Sequence, residues 1–286
     1  MPEYIKCNLC SSDNTKRLYI KNSFIIVRCK KCGLVYVNPQ PCLEELRELY
    51  KEANDDLNPA EEQDIFMQRF GKIIKTIERF QGKGRVLDIG CSYGYFLKIA
   101  QKYGWDGQGV EINDSASRYC REKLGLNVFS GDISDAHYTN QSFDVITMFH
   151  ILEHILDPRN YLKEINRILK PGGLIAVEVP NVGSLKAKLT RGNWGSFKPP
   201  RHLYYFSPKT LTLLLEKTGF KRVRMDTLGG TYILTTMDKL GLKSIHRGII
   251  KYFQYLSWLK SLLQYIQKLF RLQDVIIIYA KKEKNV

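Results

Sequence analysis

The fold is decided by residues 85–94, which read Arg85-Val86-Leu87-Asp88-Ile89-Gly90-Cys91-Ser92-Tyr93-Gly94. The β-rich run at the start of this stretch predicts a strand, and the two glycines predict a tight turn at its end. A helix is predicted directly behind the turn, over residues 95–103. Glycines let the backbone of such a turn approach a ligand closely, and the amides at the helix N-terminus favour a negative group.

Short strands and helices alternate along the chain after this turn. Further strands are predicted at residues 107–112, 127–130, 143–149 and 174–179, with helices at 115–124 and 161–169. This alternation predicts an α/β domain with a parallel sheet and helices on both faces. Ligands bind at the carboxyl ends of the strands in such sheets. Glu111 ends the second strand, where a carboxylate can accept hydrogen bonds from ribose hydroxyls.

Four cysteines near the N-terminus form two C-x2-C pairs, namely Cys7, Cys10, Cys29 and Cys32. The gap between the pairs lies within the range of structural zinc sites, and four thiolates leave no coordination position open for catalysis. We therefore expect a zinc-ribbon-like module over residues 1–42, in which bound Zn²⁺ supplies folding energy. Four free cysteines that pair by chance are the alternative. The remaining three, Cys42, Cys91 and Cys120, lack ligand-like spacing and are expected to be packing residues.

The domain boundaries follow changes in the apolar pattern. Residues 43–82 contain two stretches with helical spacing and are predicted to form a helical connector or cap. The main domain is predicted over residues 83–286, with a helical insert at about 229–272. A basic amphipathic helix at 248–272 would suit peripheral contact with a membrane, and a lid or a dimer helix is the alternative.

The composition restricts the cellular setting and the partners. The chain of 286 residues has 44 basic and 29 acidic side chains, which give a formal net charge of +15. Such a surface attracts nucleic acid, anionic lipid or phosphorylated substrates, although it can also serve solubility alone. We expect a cytoplasmic protein, or one on the cytosolic face of a membrane, because no secretory signal or apolar run of spanning length is evident.

Residues 86–94 resemble the first motif of class I S-adenosylmethionine-dependent methyltransferases, commonly D-x-G-x-G-x-G, with Ser92 at the middle glycine. Residues 109–112 resemble the second motif, whose acid holds the ribose, and residues 131–133 resemble the third, whose acid meets the adenine. Residues 143–154 resemble the fourth strand and the segment that lies beside the methionine part of the cofactor. The dinucleotide-binding pattern fits less well, because the G-x-G-x-x-G spacing is absent.

The resemblance extends over about residues 84–228 and implies a Rossmann-like sheet of seven strands, the last one antiparallel. Residues 221–228 and 274–280 would supply the two final strands. S-adenosylmethionine would be the cofactor, and the zinc module resembles those of some sugar and polyketide-type methyltransferases. The implied cofactor-binding residues are Asp88, Gly90, Cys91, Ser92, Gly94, Glu111, Ile112, Asp132, Ile133, Phe149 and His150.

Two histidines are candidates for the base that methyl transfer to a hydroxyl requires. His202 lies in an aromatic and basic loop after the fifth strand, and its P-x-H-L-Y-x-F-S pattern resembles small-molecule members of the family, where it lines the acceptor side. We favour His202 as the catalytic base. His154 is either a second catalytic group at the rim of the site or part of a helix start, where Glu153 supports the dipole.

The acceptor predicted from these features is a small molecule, either anionic or a glycan, and the reaction is O-methylation of a sugar or a lipid-linked glycan. An RNA methyltransferase is the alternative, since the zinc module and the basic surface would suit RNA. The segment after the fourth strand lacks the Asn/Asp-Pro-Pro-aromatic run of enzymes that methylate base amines. A scaffold protein without activity is disfavoured by the three acids at positions 88, 111 and 132.

Overall fold

The computed structural model describes residues 3–42, 44–46, 63–228 and 272–283. The strands in this part of the chain are β1 (Thr15–Lys21), β2 (Phe24–Cys29), β3 (Val35–Val37), β4 (Arg85–Ile89), β5 (Asp106–Glu111), β6 (Asn127–Ser130), β7 (Phe143–Phe149), β8 (Leu169–Pro180), β9 (Tyr204–Tyr205), β10 (Phe220–Leu228) and β11 (Val275–Lys282). The helices are α1 (Gln63–Ile77), α2 (Tyr95–Lys102), α3 (Asp114–Glu122), α4 (Pro158–Ile168), α5 (Leu185–Thr190) and α6 (Pro208–Glu216), with 3₁₀ turns at Leu152–His154 and Arg191–Asn193.

The larger sheet has seven strands in the order β10-β11-β8-β7-β4-β5-β6. Strands β6, β5, β4, β7 and β8 run parallel to their neighbours, whereas β11 is antiparallel to both β8 and β10. The expected seven-stranded, mostly parallel α/β fold is therefore confirmed. The order of the strands reverses at β4, so the turn after this strand opens at the switch point where such sheets bind ligands.

Both faces of the sheet are covered because its central strands are apolar on both sides. Successive residues of a strand point to opposite faces. Leu87 and Ile146 lie in the apolar cluster that includes α4 and α6, whereas Val86 and Val145 lie in the cluster that includes α1 and α2. Polar side chains begin the helices that follow, as when Asn113 Oδ1 accepts a hydrogen bond of 3.0 Å from the Ala116 amide at α3.

A second sheet joins the N-terminal module to the main domain. Its antiparallel order is β1-β2-β3-β9, and β9 comes from the loop after β8 rather than from the module. Tyr205 pairs with Val35 and Tyr204 with Tyr36, and the Val37 amide donates a hydrogen bond of 2.8 Å to the Leu203 carbonyl. The loop that carries His202 thus contributes the fourth strand, β9, to the module's sheet.

Several predictions from the sequence concern segments outside the described residues. The segments outside the described residues are most of the first predicted connector helix, the rest of the connector before residue 63, and nearly all of the insert at 229–272. The boundaries of the three predicted regions and the membrane contact of the insert stay predictions, as does the cytoplasmic location. Among the described helices, none has the length and apolar character that crossing a bilayer requires.

Candidate active site

The four cysteines of the module come together at one point. Their sulfurs lie within 4.8 Å of one another, with Cys7 and Cys32 at 3.5 Å and Cys10 and Cys29 at 3.5 Å. All four are free thiols rather than disulfides. Four sulfurs around zinc at the usual bond length of ~2.3 Å would lie roughly 3.8 Å apart in a tetrahedron.

Backbone amides donate hydrogen bonds to at least three of the sulfurs, among them that of Cys32, which faces the Leu34 amide. Those of Leu9 and Cys10 donate to the sulfur of Cys7, and those of Lys31 and Cys32 donate to that of Cys29. Such bonds stabilise thiolates, which are the form that binds metal. The module is therefore compatible with a zinc ribbon, and its residues fit structural Zn²⁺.

The glycine turn after β4 has a backbone that few residues can adopt. Gly90 and Gly94 have φ angles of 70° and 73°, and Ser92 lies in the same left-handed region at 46°. The Gly90 and Cys91 amides both donate to the Val110 carbonyl, at 2.8 and 3.2 Å, which fixes the turn against β5. The buried Ser92 hydroxyl has no hydrogen-bond partner among the described residues, which leaves one polar group of the turn unsatisfied.

Glu111 anchors this turn. One of its carboxylate oxygens accepts a hydrogen bond from the Ser92 amide at 2.8 Å, and the other accepts one from the Asn113 amide, also at 2.8 Å. The carboxylate lies at the carboxyl end of β5, the edge predicted to hold the ribose. Its role in the structure is thus to bridge the glycine turn and the start of α3, and its contact with ribose stays a prediction.

Asp88 and Cys91 lie below the turn rather than on its surface. Asp88 is buried and accepts a hydrogen bond of 2.6 Å from the Thr147 hydroxyl. Burial raises the pKa of Asp88 to about 7, against the effect of this hydrogen bond. The Cys91 sulfur occupies the space beside Gly109, where an added Cβ would lie 2.6 Å from it. A cofactor could reach Cys91 only through its backbone.

The residues implied for the adenine side lie around the ends of β5 and β6. Ile112 is half exposed, and Asp132 accepts hydrogen bonds of 3.0 Å from both the amide and the hydroxyl of Ser134. Ile133, in contrast, is buried in the core. The structure brings Ile112 and Asp132 to the expected edge, whereas the Ile133 side chain is part of the packing beneath it.

His150 follows β7 in a left-handed conformation, with a φ angle of 59°, which is unusual outside glycine. Its Nε2 lies 3.0 Å from a Glu178 oxygen, and its Nδ1 lies 3.3 Å from a Glu153 oxygen. Desolvation lowers the pKa of His150, but the two carboxylates outweigh it and raise the pKa to about 10. The two carboxylates therefore favour the protonated form of the ring.

Phe149 and Arg69 complete the surroundings of His150. The Phe149 ring packs against Phe70 and Phe96, with centroids 5.2 Å away in each case. Arg69 on α1 forms an ion pair with the same Glu178 oxygen that His150 contacts, and its guanidinium lies 5.9 Å from the centre of the Phe149 ring. Neither Arg69 nor Glu178 was predicted from the sequence. A lone carboxylate inside the otherwise apolar end of a strand was the available signal for Glu178.

The two candidate catalytic histidines are neighbours. The rings of His154 and His202 are 4.7 Å apart between centroids and nearly perpendicular, and both lie within 4.8 Å of the Glu153 carboxylate, measured between potential ligand atoms. Nδ1 of His154 donates to the Arg201 carbonyl at 2.8 Å, since a carbonyl can only accept. The Leu203 amide donates to the Glu153 carbonyl at 2.8 Å, which ties the loop to the segment after β7.

The electrostatics of this cluster keep both histidines neutral and Glu153 charged. Burial and the neighbouring His154 lower the pKa of His202 to about 4, and burial also lowers the pKa of His154. Burial raises the pKa of Glu153, but the hydrogen bond from His150 and the charge of that ring outweigh it, so the pKa lies below its usual value. Neutral imidazoles beside a carboxylate can accept a proton from a bound hydroxyl.

Comparison with known proteins identifies the family of the main domain. The family model described as a methyltransferase domain matches residues 65–224, more than half of the chain. The chain belongs to this family. S-adenosylmethionine is the family's cofactor, so the recognition of the class I fold from the glycine turn and the strands after it is confirmed.

Two curated relatives share part of this domain. The ubiquinone biosynthesis O-methyltransferase of Coxiella burnetii is 31% identical over 138 residues, which cover 46% of this chain and 58% of that protein. The protein of the same name from Methylococcus capsulatus is 33% identical over 112 residues, covering 37% of this chain and 46% of that protein. The chain thus spans about half the length of these relatives.

Solved structures agree on the fold. An S-adenosylmethionine-dependent methyltransferase from Archaeoglobus fulgidus is 25% identical with a TM-score of 0.50, and the match covers 76% of this chain and 98% of that one. Phosphoethanolamine N-methyltransferase 2 from Haemonchus contortus is 19% identical with a TM-score of 0.54, and the match covers 87% of this chain and 63% of that one. This second likeness supports the fold alone.

Proposed function

We propose that the protein transfers a methyl group from S-adenosylmethionine to a hydroxyl of a small molecule that is anionic or a glycan. The observation that carries the proposal is the neutral histidine pair beside Glu153, in segments that follow the carboxyl ends of β7 and β8. A methyl transfer to oxygen needs such a base, whereas the sulfonium activates the methyl group without help. The names of the two curated relatives, both O-methyltransferases, support the same reaction.

Each part of the proposed site has a separate task. The glycine turn, the Ser92 hydroxyl and the edge at Glu111 and Asp132 would hold the cofactor, and Phe149 and His150 would lie beside its methionine part. When bound, S-adenosylmethionine supplies an electrophilic methyl group. His202 would remove the proton of the acceptor hydroxyl, with His154 as its partner in the site. Holding the acceptor in line lowers the barrier further, because it removes the entropy cost of alignment.

A cleft lined by the loop residues that precede His202 supports an anionic acceptor. It has a volume of about 410 Å³ and lies between the N-terminal module and the loop before β9. Its cationic residues are Lys21 from the module and Lys198 and Arg201 from the loop, and none of the described residues that line it is acidic. Trp194 and Phe197 also line it, but both are buried in the packing of the loop. Such a basic lining would attract a phosphate group.

The test is methyl transfer from labelled S-adenosylmethionine to a panel of free sugars, nucleotide-linked sugars, polyprenyl-phosphate-linked glycans and RNA. We expect transfer to one of the anionic glycans. His202→Ala should abolish turnover, because a base contributes some 10²–10⁴-fold to the rate. The cofactor affinity, measured by calorimetry, should stay within about threefold of wild type. Unchanged turnover in the variant would refute the role of His202, and transfer to RNA alone would refute the acceptor class.

A further inference from the structure

The segment after β7 holds a carboxylate whose position the reaction proposed above does not by itself explain. Glu153 is buried, with 1% of its surface exposed, at the 3₁₀ turn of Leu152–His154. Its Oε1 contacts His150, whereas its Oε2 is buried without a hydrogen-bond partner among the described residues. The buried Nδ1 of His202 is likewise unpartnered there. Both atoms belong to the same cluster, and buried polar atoms of this kind call for an explanation.

On its other side, Glu153 is the last member of a chain of alternating charges, in which both carboxylates are buried whereas the His150 and Arg69 side chains are 45% and 29% exposed. Arg69 pairs with Glu178, Glu178 pairs with His150, and His150 contacts Glu153. Two cations and two carboxylates balance, so the chain keeps Glu153 ionised although it is removed from water. An ionised carboxylate without such partners would take up a proton instead.

Glu153 therefore presents a negative charge to the histidine pair. We propose that Glu153 is the positioning carboxylate of this methyltransferase: it orients His154 and His202 and stabilises the imidazolium that forms when the pair accepts the proton of the acceptor. The inference rests on the proposed O-methylation. It assigns the residue a role comparable to the carboxylate of a catalytic triad, which orients a histidine and stabilises its charged form.

The proton step balances without any further reactant. The acceptor O–H bond breaks, its proton joins a ring nitrogen of the pair, and the electron pair stays on the oxygen that attacks the methyl carbon. The new imidazolium and Glu153 then form an ion pair in the interior. Other charged groups around the pair are His150 after β7, Glu178 on β8, and Lys198 and Arg201 on the loop. The two loop cations and His150 oppose a second positive charge, and Glu153 offsets them.

Two variants separate charge from shape. Glu153→Gln nearly preserves the size of the side chain and can still bond His150, but it lacks the charge. Glu153→Asp keeps the charge with a shorter reach. A merely structural role would be better served by Gln, whereas the proposed role requires the carboxylate. With the acceptor that the panel identifies, we expect kcat to fall at least about tenfold more in Gln than in Asp, at unchanged cofactor affinity.

A second measurement needs no acceptor and so remains informative if the proposed function fails. The ring signals of His154 and His202 are followed by NMR against pH, with His137, which lies outside the cluster, as the internal control. Glu153→Gln should move the protonation of His154 to lower pH by about one unit or more, because a nearby carboxylate raises a histidine pKa. Glu153→Asp should move it less.

Three results would overturn the proposal. The first is a His154 titration that is the same in wild type and Glu153→Gln. The second is turnover in Gln that equals or exceeds turnover in Asp, which would mean a packing role. The third is turnover that depends on Mn²⁺ added to the zinc-loaded enzyme, since the three groups would then hold a cation rather than share a proton. Absence of cofactor binding would instead refute the proposed function and leave the titration to decide on Glu153.

Discussion

Loss of the module's metal should greatly lower turnover without weakening the binding of the cofactor. Cys29→Ser removes one of the four sulfurs that fit Zn²⁺, and structural zinc contributes on the order of 10 kcal/mol to the folding of small modules. Such a module should not keep its strands without the metal. The main consequence concerns β3, because this strand holds the loop that carries His202.

The expected size of the effect follows from the links between the module and the main domain. Three of the hydrogen bonds that connect them near the site join Val37 to Leu203 at 2.8 Å, Asn22 to Pro199 at 3.1 Å and Asn8 to Asp157 at 2.9 Å. At about 1 kcal/mol for each bond, their loss would remove roughly 3 kcal/mol of the free energy that stabilises the ordered loop. This corresponds to about a hundredfold smaller population of the aligned site and hence a similar loss of kcat.

The cofactor side should not notice this change. The glycine turn is fixed by Val110 and Glu111 within the seven-stranded sheet, and neither contact involves the module. The assay combines zinc content, calorimetric affinity for S-adenosylmethionine and turnover, and Cys42→Ser is the control because Cys42 lies outside the cluster. Wild-type protein without bound zinc, or metal-free Cys29→Ser with full turnover, would refute the reasoning. A parallel loss of cofactor affinity would show that the cofactor site depends on the N-terminal module.

Three further outcomes can be measured on the same protein. Gly90→Ala should lower stability by about 1–2 kcal/mol and weaken cofactor binding, because φ is 70° and the new Cβ would meet Ile151; Gly125→Ala, strained without a close contact, should lower stability only. In chemical unfolding, the unfolding free energy of the wild type should fall by about 3 kcal/mol between pH 5 and pH 8 relative to that of Asp88→Asn. The reason is that an aspartate whose pKa is raised to about 7 in the folded protein costs stability as it ionises. Parallel curves of stability against pH for the two proteins would contradict this. Arg69→Met and Glu178→Gln should each destabilise by roughly 3 kcal/mol, and the double variant by clearly less than their sum, whereas additivity would exclude a coupled pair.

The sequence predicted the seven-stranded sheet well because its signals are local. Each predicted strand from residue 85 onward corresponds to an observed one, with ends that differ by a few residues. The smaller sheet was predicted only in part. Strand β1 (Thr15–Lys21) could not be predicted from its pattern, because it is rich in charged residues and much of its surface is exposed to solvent. Strand β9 has only two residues and exists because it pairs with a segment far away in the sequence, which no local pattern reveals.

The candidate site shows the same division. Glycines, thiolate pairs and the carboxylate at the end of a strand have recognisable spacing, so the turn, the cysteine cluster and Glu111 were located correctly. The Leu152-Glu153-His154 segment left two interpretations open, a catalytic group at the rim of the site or a helix start, because a carboxylate before a histidine is common at an exposed helix start. Only the packing shows that Glu153 is buried between His150 and the histidine pair. Burial of a charge depends on partners such as Glu178, more than twenty residues away, and composition cannot supply them.

The two sheets divide the proposed reaction between them. The contacts that shape the glycine turn come from the main domain, from Val110 and Glu111 on β5 and from Ile151 after β7, whereas the loop with His202 is held by β3 and by the backbone of Glu153. Substitutions in the module can therefore change the acceptor cleft, through Lys21 and Asn22, while the cofactor side keeps its geometry. The histidine pair lies where the two parts meet, and Leu203 joins them through its amide and its carbonyl. This placement would let a structural metal module with no open coordination position influence the proposed reaction while its metal takes no part in the chemistry.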